Sequence, residues 1–247
     1  MRRLSALLLA IVLFFVPALA AAAGAPERVV LRTVAGDLVL ALYPEVAPRT
    51  VEQILKLVRA GVYDTTAFVR IEPGFVAQLS AAYDRSRPMN EDQKALVHKL
   101  PAEFSDVKHA RGVLSMARED ADPNSAETSF SILLGPAPHL DGKYTVFGHL
   151  ESGEAVLDQM LQVPRGAMQR PVVRIEVTKA EVLSAAELAG ARLAPAHRIV
   201  GTPESVEPAR AAAGAAATSA TGAAPPASRR DVEIGVGLLF ICALGVA

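Results

Sequence analysis

The stretch Phe68-Val69-Arg70-Ile71-Glu72-Pro73-Gly74-Phe75-Val76-Ala77-Gln78 gathers a cation, an amide and several large apolar side chains along one short path. It reads as strand, tight turn, strand. Pro73-Gly74 is a sound turn pair, because proline pre-sets φ and glycine accepts positive φ. Residues two apart on a strand share a face, so Phe68 and Arg70 are expected to point the same way, as are Val76 and Gln78. The product is a guanidinium and a primary amide beside an apolar patch on a rigid sheet. Such a surface suits a neutral peptide held against an arginine. Other reactive patterns are weak. His98, His109, His139, His149 and His197 show no metal-ligand spacing, and Ser115, Ser129 and Ser131 sit in no nucleophile elbow. The single cysteine, Cys242, excludes an internal disulfide framework and a Cys-based zinc site, and no phosphate loop is present.

The pattern Phe68-x-Arg70-x-x-Pro73-Gly74-Phe75-x-x-Gln78 resembles the signature of the cyclophilin-type peptidyl-prolyl isomerases. Arg111-Gly112-Val113-Leu114-Ser115-Met116-Ala117-Arg118 and Leu140-Asp141-Gly142-Lys143-Tyr144-Thr145-Val146-Phe147-Gly148 are similar to two further blocks of that family, in the right order. Glu103-Phe104 resembles another family position. The resemblance covers residues 28–183. It implies an antiparallel eight-stranded barrel capped by a helix at each end, proline-containing polypeptides as partners, and neither cofactor nor metal.

Rotation about a peptide bond faces a barrier of about 18–20 kcal/mol. Before proline the two isomers differ by only about 0.5–1 kcal/mol, yet they exchange over tens of seconds. A catalyst must favour the twisted amide over the planar one, and a guanidinium aimed at the lone pair on the prolyl nitrogen does so. By resemblance Arg70 is the catalytic residue. The same resemblance has Phe75, Val76, Leu140 and Tyr144 line the proline pocket beside Phe68. It has Gln78 and Ala117 bind the peptide backbone, and Arg118 offer a backbone contact. The alternative for Arg70 is a surface ion pair with Glu72 or Asp64. Phe130 reads as ordinary core.

Three positions depart from the family. Ser129 stands where a glutamine is common, Ser131 where an aromatic floors the proline pocket, and His139 where many members have tryptophan. Tyr144 is a familiar bacterial variant. The arginine is kept and the pocket is partly hollowed, so slow turnover and weak binding of cyclosporin-type inhibitors are expected. The competing function is a peptide-binding module of the same fold with little turnover, tethered to the envelope.

The elements that must hold these residues are mostly strands. Residues 28–43 follow a hairpin pattern around Ala35-Gly36-Asp37. Residues 50–60 carry Val51, Ile54, Leu55 and Val58 at helical spacing, with Gly61 to end the helix. Residues 83–99 are polar and aperiodic and read as a solvated surface insertion. Strands are expected at 113–117, 130–134, 144–150 and 172–183, and a helix at 154–162. The pattern makes the fold class mainly β with two helices and a disordered C-terminal linker, and the resemblance implies that the strands close into an antiparallel barrel.

The ends differ in character. Arg2 and Arg3, the apolar run 4–16 and Ala18-Leu19-Ala20 form a signal peptide over 1–23, the alternative being an uncleaved anchor. No cysteine follows the apolar run, which argues against a bacterial lipoprotein. The isomerase domain is expected to work in the periplasm or cell envelope. Residues 184–231 are rich in Ala, Pro, Gly, Ser and Thr and read as a linker, with 185–194 able to extend into a helix. The uncharged run 234–247 lies in a hydrophobic tail, 232–247, expected to associate with membrane or to act as a sorting signal. A helix there spans about 21 Å, short of the roughly 30 Å hydrocarbon core. With 25 basic and 26 acidic residues, the chain carries no signal for nucleic acid, and a monomer is expected.

Overall fold

Alternation in the first segment folds as read: β1 (Arg28–Thr33) and β2 (Gly36–Leu42) form an antiparallel hairpin. The structure, a computed structural model, describes residues 27–199. The signal peptide 1–23, the tail 232–247 and most of the linker lie outside the described residues. Among those described, no helix is long and apolar enough to cross a membrane.

Six more strands follow: β3 (Ala67–Glu72), β4 (Val76–Leu79), β5 (Val113–Met116), β6 (Phe130–Leu133), β7 (Val146–Ser152) and β8 (Ile175–Leu183). All pairings are antiparallel, and they close in the order β1-β2-β7-β5-β6-β4-β3-β8. Closure removes the unpaired edges that short strands would otherwise expose. The interior is filled by Leu31, Leu40, Ile71, Leu79, Leu114 and Ile132, each essentially inaccessible. Phe130 joins them as core, edge-to-face with Tyr63 at 5.9 Å and with Phe147 at 5.4 Å. The Tyr63 hydroxyl donates to Thr128 O (2.9 Å), so burial of this ring leaves no polar atom unpaired.

Two longer helices pack on this cluster. Helix α1 (Pro48–Arg59) buries Val51, Ile54, Leu57 and Val58, each burial contributing roughly 1.5–3 kcal/mol. Leu55, expected in the stripe, is only half-buried, and Leu57 takes its place. Ala47 cannot cap the helix, so Glu103 supplies the acceptor from afar. Its carboxylate accepts from Arg49 N (3.0 Å), Thr50 N (2.9 Å) and Thr50 Oγ1 (2.7 Å). The second long helix (Glu154–Gln162) follows β7 and buries Val156, Leu157 and Met160.

One shorter helix corrects the sequence expectation, and a second falls within 185–194, the stretch read as able to extend into a helix. Within the insertion read as a loop, α2 (Glu91–Leu96) forms although none of its residues is buried. A capping box explains it: Asn90 Oδ1 accepts from Gln93 N (2.8 Å), and Gln93 Oε1 accepts from Asn90 N (3.2 Å). The Glu154–Gln162 helix is thus α3 in chain order. The linker also begins later than 184. Ser184 and Glu187 make a second capping box for α4 (Ala185–Gly190). The chain then returns along the β1–β2 turn, where Ala194 N donates to Asp37 Oδ2 (2.7 Å) and His197 N to Ala35 O (3.0 Å). The Ala- and Pro-rich composition hid this docking, in which the segment's backbone groups make the hydrogen bonds and Ala196 and Ile199 pack against the core.

Candidate active site

The candidate site residues lie mostly on the outer face of the barrel, and a β-bulge in β3 sets the direction of Arg70. Phe68 pairs with Leu79, but Arg70 pairs with Gln78, so Val69 is an extra residue opposite one step of β4. The bulge breaks the period of two. Phe68 and Leu79 point into the core, each no more than 2% exposed, while Arg70 and Gln78 lie on the outer face. Phe68 therefore does not stand beside Arg70, as strict alternation had suggested. It supports the strand from within.

From Arg70 the pairing runs Gln78, Ser131, Ser115 across β4, β6 and β5. Cross-strand partners share a face, so these four form one polar row. A neighbouring pair, Val76 and Leu133, belongs to an outer apolar cluster with Val113, Ala137 and Val146, against which Phe75 and Leu140 pack. A hydrogen-bonding track thus runs beside an apolar patch. That pairing can hold a peptide backbone and a hydrocarbon ring together.

The turn between β3 and β4 places Phe75. Phe75 N donates to Glu72 O (3.0 Å), and Gly74 has φ +73°, the left-handed value expected after proline in this turn. Gly135 then lies against the turn so closely that a Cβ would meet Gly74 O at 2.3 Å. Leu134 N donates to Phe75 O (2.8 Å) in the same contact. The Phe75 ring sits between the Arg70 guanidinium, 5.3 Å from its centroid, and the His139 ring, 5.4 Å away. Arg70 is 21% exposed along its side chain and is ion-paired with Glu72. Asp64, the other acid considered for it, instead binds Lys179.

Residues 28–182 match the family described as cyclophilin type peptidyl-prolyl cis-trans isomerase/CLD. The chain belongs to the cyclophilin family. Its relatives include the peptidyl-prolyl cis-trans isomerase CYP23 of Arabidopsis thaliana, 52% identical over 155 residues that cover 61% of this chain and 68% of the relative. A probable peptidyl-prolyl cis-trans isomerase of Brucella suis is 37% identical, covering 64% of this chain and 85% of its own. Among solved structures, a cyclophilin type isomerase of Cryptosporidium parvum in the presence of the dipeptide Ala-Pro aligns with TM-score 0.56 and 26% identity. That alignment covers 64% of this chain and 99% of the other. This cyclophilin is accordingly a peptidyl-prolyl cis-trans isomerase.

The remaining expected residues lie around the same face of the cyclophilin barrel. Ser129 Oγ donates to Leu79 O (2.7 Å) and accepts from Gln78 Nε2 (3.4 Å), so the serine steadies the amide rather than replacing it. Ala117 N donates to Ser129 O (2.9 Å), which fixes Ala117 next to that pair. Arg118 lies over the Tyr144 ring, with its guanidinium 4.2 Å from the centroid, and also donates to Glu119 O (2.6 Å) and Asp120 O (3.1 Å). One face of Tyr144 is therefore covered by Arg118. Ser131 is buried at 8% exposure between Gln78 and Ser115. His139 is exposed on the turn Pro138–Leu140.

A buried polar array behind the site has no counterpart among the sequence expectations. His109 Nδ1 lies 3.0 Å from Asp141 Oδ1, and Nε2 lies 3.0 Å from Ser115 Oγ. Burial lowers the His109 pKa, opposed by the hydrogen bond from Asp141. The Asp141 carboxyl is lowered chiefly by the backbone N–H of His109, at 2.9 Å. The neutral ring thus donates to Asp141 and accepts from Ser115. The serine–histidine–carboxylate order invites a nucleophilic reading, but Ser115 is 2% exposed and meets no solvent. The array ties β5 to the turn carrying His139 and Leu140. No spacing rule links positions 109, 115 and 141, and only the fold brings them together.

Proposed function

We propose that this cyclophilin turns X-Pro bonds in exported polypeptides, with Arg70 as its catalytic residue. The observation that carries this reading is the bulge-set row Arg70–Gln78–Ser131 beside the Val76–Leu133 patch. A proline ring has its complement over Phe75, Val76, Leu140 and the face of Tyr144 turned away from Arg118. The polypeptide backbone on either side finds Gln78 and Ala117. The Arg70 guanidinium is then the group beside the prolyl nitrogen.

Twisting the amide ends its resonance and returns a lone pair to that nitrogen. A donor aimed there stabilises the twisted state more than the planar one, which is the requirement for catalysis. Guanidinium has five donors in a fixed fork, so Arg70 can keep Glu72 and still present an N–H to the nitrogen. The apolar wall helps as well, because the twisted amide has lost its charge-separated form. No proton or covalent bond is exchanged. The test is a proline-isomerisation assay on a short X-Pro peptide, where a rate no higher than background would overturn the proposal.

Export is proposed from the sequence alone: the basic Arg2-Arg3, the apolar run and the Ala18-Leu19-Ala20 site favour a cleaved leader. Recovery of an envelope form starting after Ala20 is expected, and a full-length cytoplasmic form contradicts it. The run 234–247 is proposed to attach the protein to membrane. Alkaline-washed membranes should retain it, and deletion of 229–247 should release it. The closed barrel presents no edge strand for pairing, which favours a monomer.

A second reading, a peptide-binding module with little turnover, is favoured by Ser129 and Ser131. Both are small where a peptide clamp and a pocket floor are needed. Peptide binding without rate enhancement would establish it over the first.

A further inference from the structure

Arg85 is 8% exposed, and its guanidinium has no carboxylate partner among the described residues. It donates from Nε to Thr65 Oγ1 (3.3 Å) and from Nη1 to Gln93 Oε1 (3.2 Å), both neutral acceptors. A buried cation ordinarily needs an anion within reach. Asp64, the carboxylate that lines the same pocket, is engaged by Lys179 Nζ (3.2 Å) and Ala180 N (2.9 Å). Burial lowers the Arg85 pKa, with Asp64 acting to raise it and Arg87 to lower it further.

The guanidinium borders a pocket of ≈ 440 Å³, whose wall also carries Arg59, Arg87 and Lys179 against the carboxylate of Asp64. Arg59 is matched by Glu27, and Lys179 by Asp64. Arg85 and Arg87 remain unmatched among the described residues. The backbone beside them is strained: Thr65, a β-branched residue, has φ +63°. Its Oγ1 accepts from Arg85 Nε (3.3 Å) and from the backbone N–H of Arg87 (3.2 Å), so the strained residue fixes the Arg85 head group and the main chain that carries Arg87 on the same wall. Strain of about 1–3 kcal/mol survives where surroundings over-determine it, and it clusters at ligand sites. Thr65 precedes β3 while Arg70 lies toward its far end, roughly 16 Å of strand away. The pocket is thus separate from the isomerase site.

We propose that this pocket binds a phosphate monoester, with Arg85 and Arg87 holding the phosphate. A phosphate monoester carries about −1.5 to −2 charge at neutral pH, which complements two unmatched guanidiniums. Their planar forks fit phosphate oxygens two at a time. The volume falls within the range of about 300–1,000 Å³ that small organic ligands occupy, so a phosphate monoester with a short alcohol part fits by size.

The test is calorimetric titration of the full-length chain with glycerol 3-phosphate in low-salt, phosphate-free buffer. Saturable binding of one equivalent is expected. Arg85→Gln and Arg87→Gln should each weaken it about tenfold or more, the loss of one charge-assisted contact. Arg87 is exposed, so its variant keeps the test valid should Arg85→Gln fail to fold. Arg111→Gln, which alters an arginine bound elsewhere to Glu154 and Asp158, should leave binding unchanged. No saturable binding by the wild type, full binding by folded Arg87→Gln, or equal loss in Arg111→Gln would each overturn the proposal.

Discussion

Replacing Ser131 by phenylalanine rebuilds the part of the pocket this chain lacks. Ser131 faces outward from β6, opposite Gln78 and Ser115, with Val76 and Leu133 on the adjoining row. Its polar neighbours Ser115 and Ser129 are small, but Ser131 is itself only 8% exposed, so the melting curve must show that the added ring is accommodated. One ring face covers about 40–60 Å² of a bound proline, worth about 1–1.5 kcal/mol at about 25 cal/mol per Å². At about 1.4 kcal/mol per decade, that is roughly tenfold in binding. The contact is made with the proline ring in both planar and twisted states, so the gain should fall mainly on KM. We expect kcat/KM for an X-Pro peptide to rise about tenfold in Ser131→Phe. The double variant Ser129→Gln with Ser131→Phe should rise further. Thermal melting separates this from overpacking, which costs about 1–3 kcal/mol of stability. A variant that melts like the wild type and isomerises no faster would refute this pocket geometry.

His109→Gln should flatten the pH dependence of stability. Burial holds the folded-state pKa of His109 below its unfolded value of about 6.5. Its contribution is therefore complete above that value and is lost as pH falls through the folded pKa, so urea unfolding of wild type and variant should differ less at pH 5.5 than at 7.5. Glu103→Ala removes the acceptor for three donors at the start of α1. A loss of about 1–2 kcal/mol is expected by denaturant unfolding, with isomerase activity kept. Glu72→Gln keeps an acceptor for Arg70 but removes its countercharge. Partly exposed pairs of this kind are worth about 0.2–1 kcal/mol, so kcat/KM should rise about 1.4- to fivefold, and a fall would mean that the charge positions the arginine.

Most strands could be read from the sequence as short apolar runs between turn residues, while their closure into a barrel was implied by the resemblance of three motif blocks. Within the motif, Arg70 and Phe75 are placed by the near neighbour Glu72, whereas the Gln78 amide is held by Ser129 from another part of the chain. What escaped depends on through-space partners. Counting by twos along β3 puts Phe68 beside Arg70, and nothing local announces the extra residue Val69 that turns them apart. Helix α2 has no apolar stripe and rests on the Asn90–Gln93 box, a pattern present in the sequence but masked by the polar stretch around it. Residues 191–199 have no period of either kind, yet they dock through hydrogen bonds to the β1–β2 turn and pack Ala196 and Ile199 against the core. The His109 array and the Glu103 cap join positions that no periodicity connects.

Isomerase turnover of Arg70→Ala, measured on a short X-Pro peptide together with its melting curve, tests the central claim most directly. Arg70 is outward-facing and 21% exposed, so its truncation should change stability by only about 0.5 kcal/mol. Loss of one preorganised donor to the transition state costs about 10²–10³ in rate. We expect kcat/KM to fall by about that factor with the melting curve unchanged. A folded Arg70→Ala protein that isomerises as fast as the wild type would contradict the assignment of Arg70 as the catalytic residue.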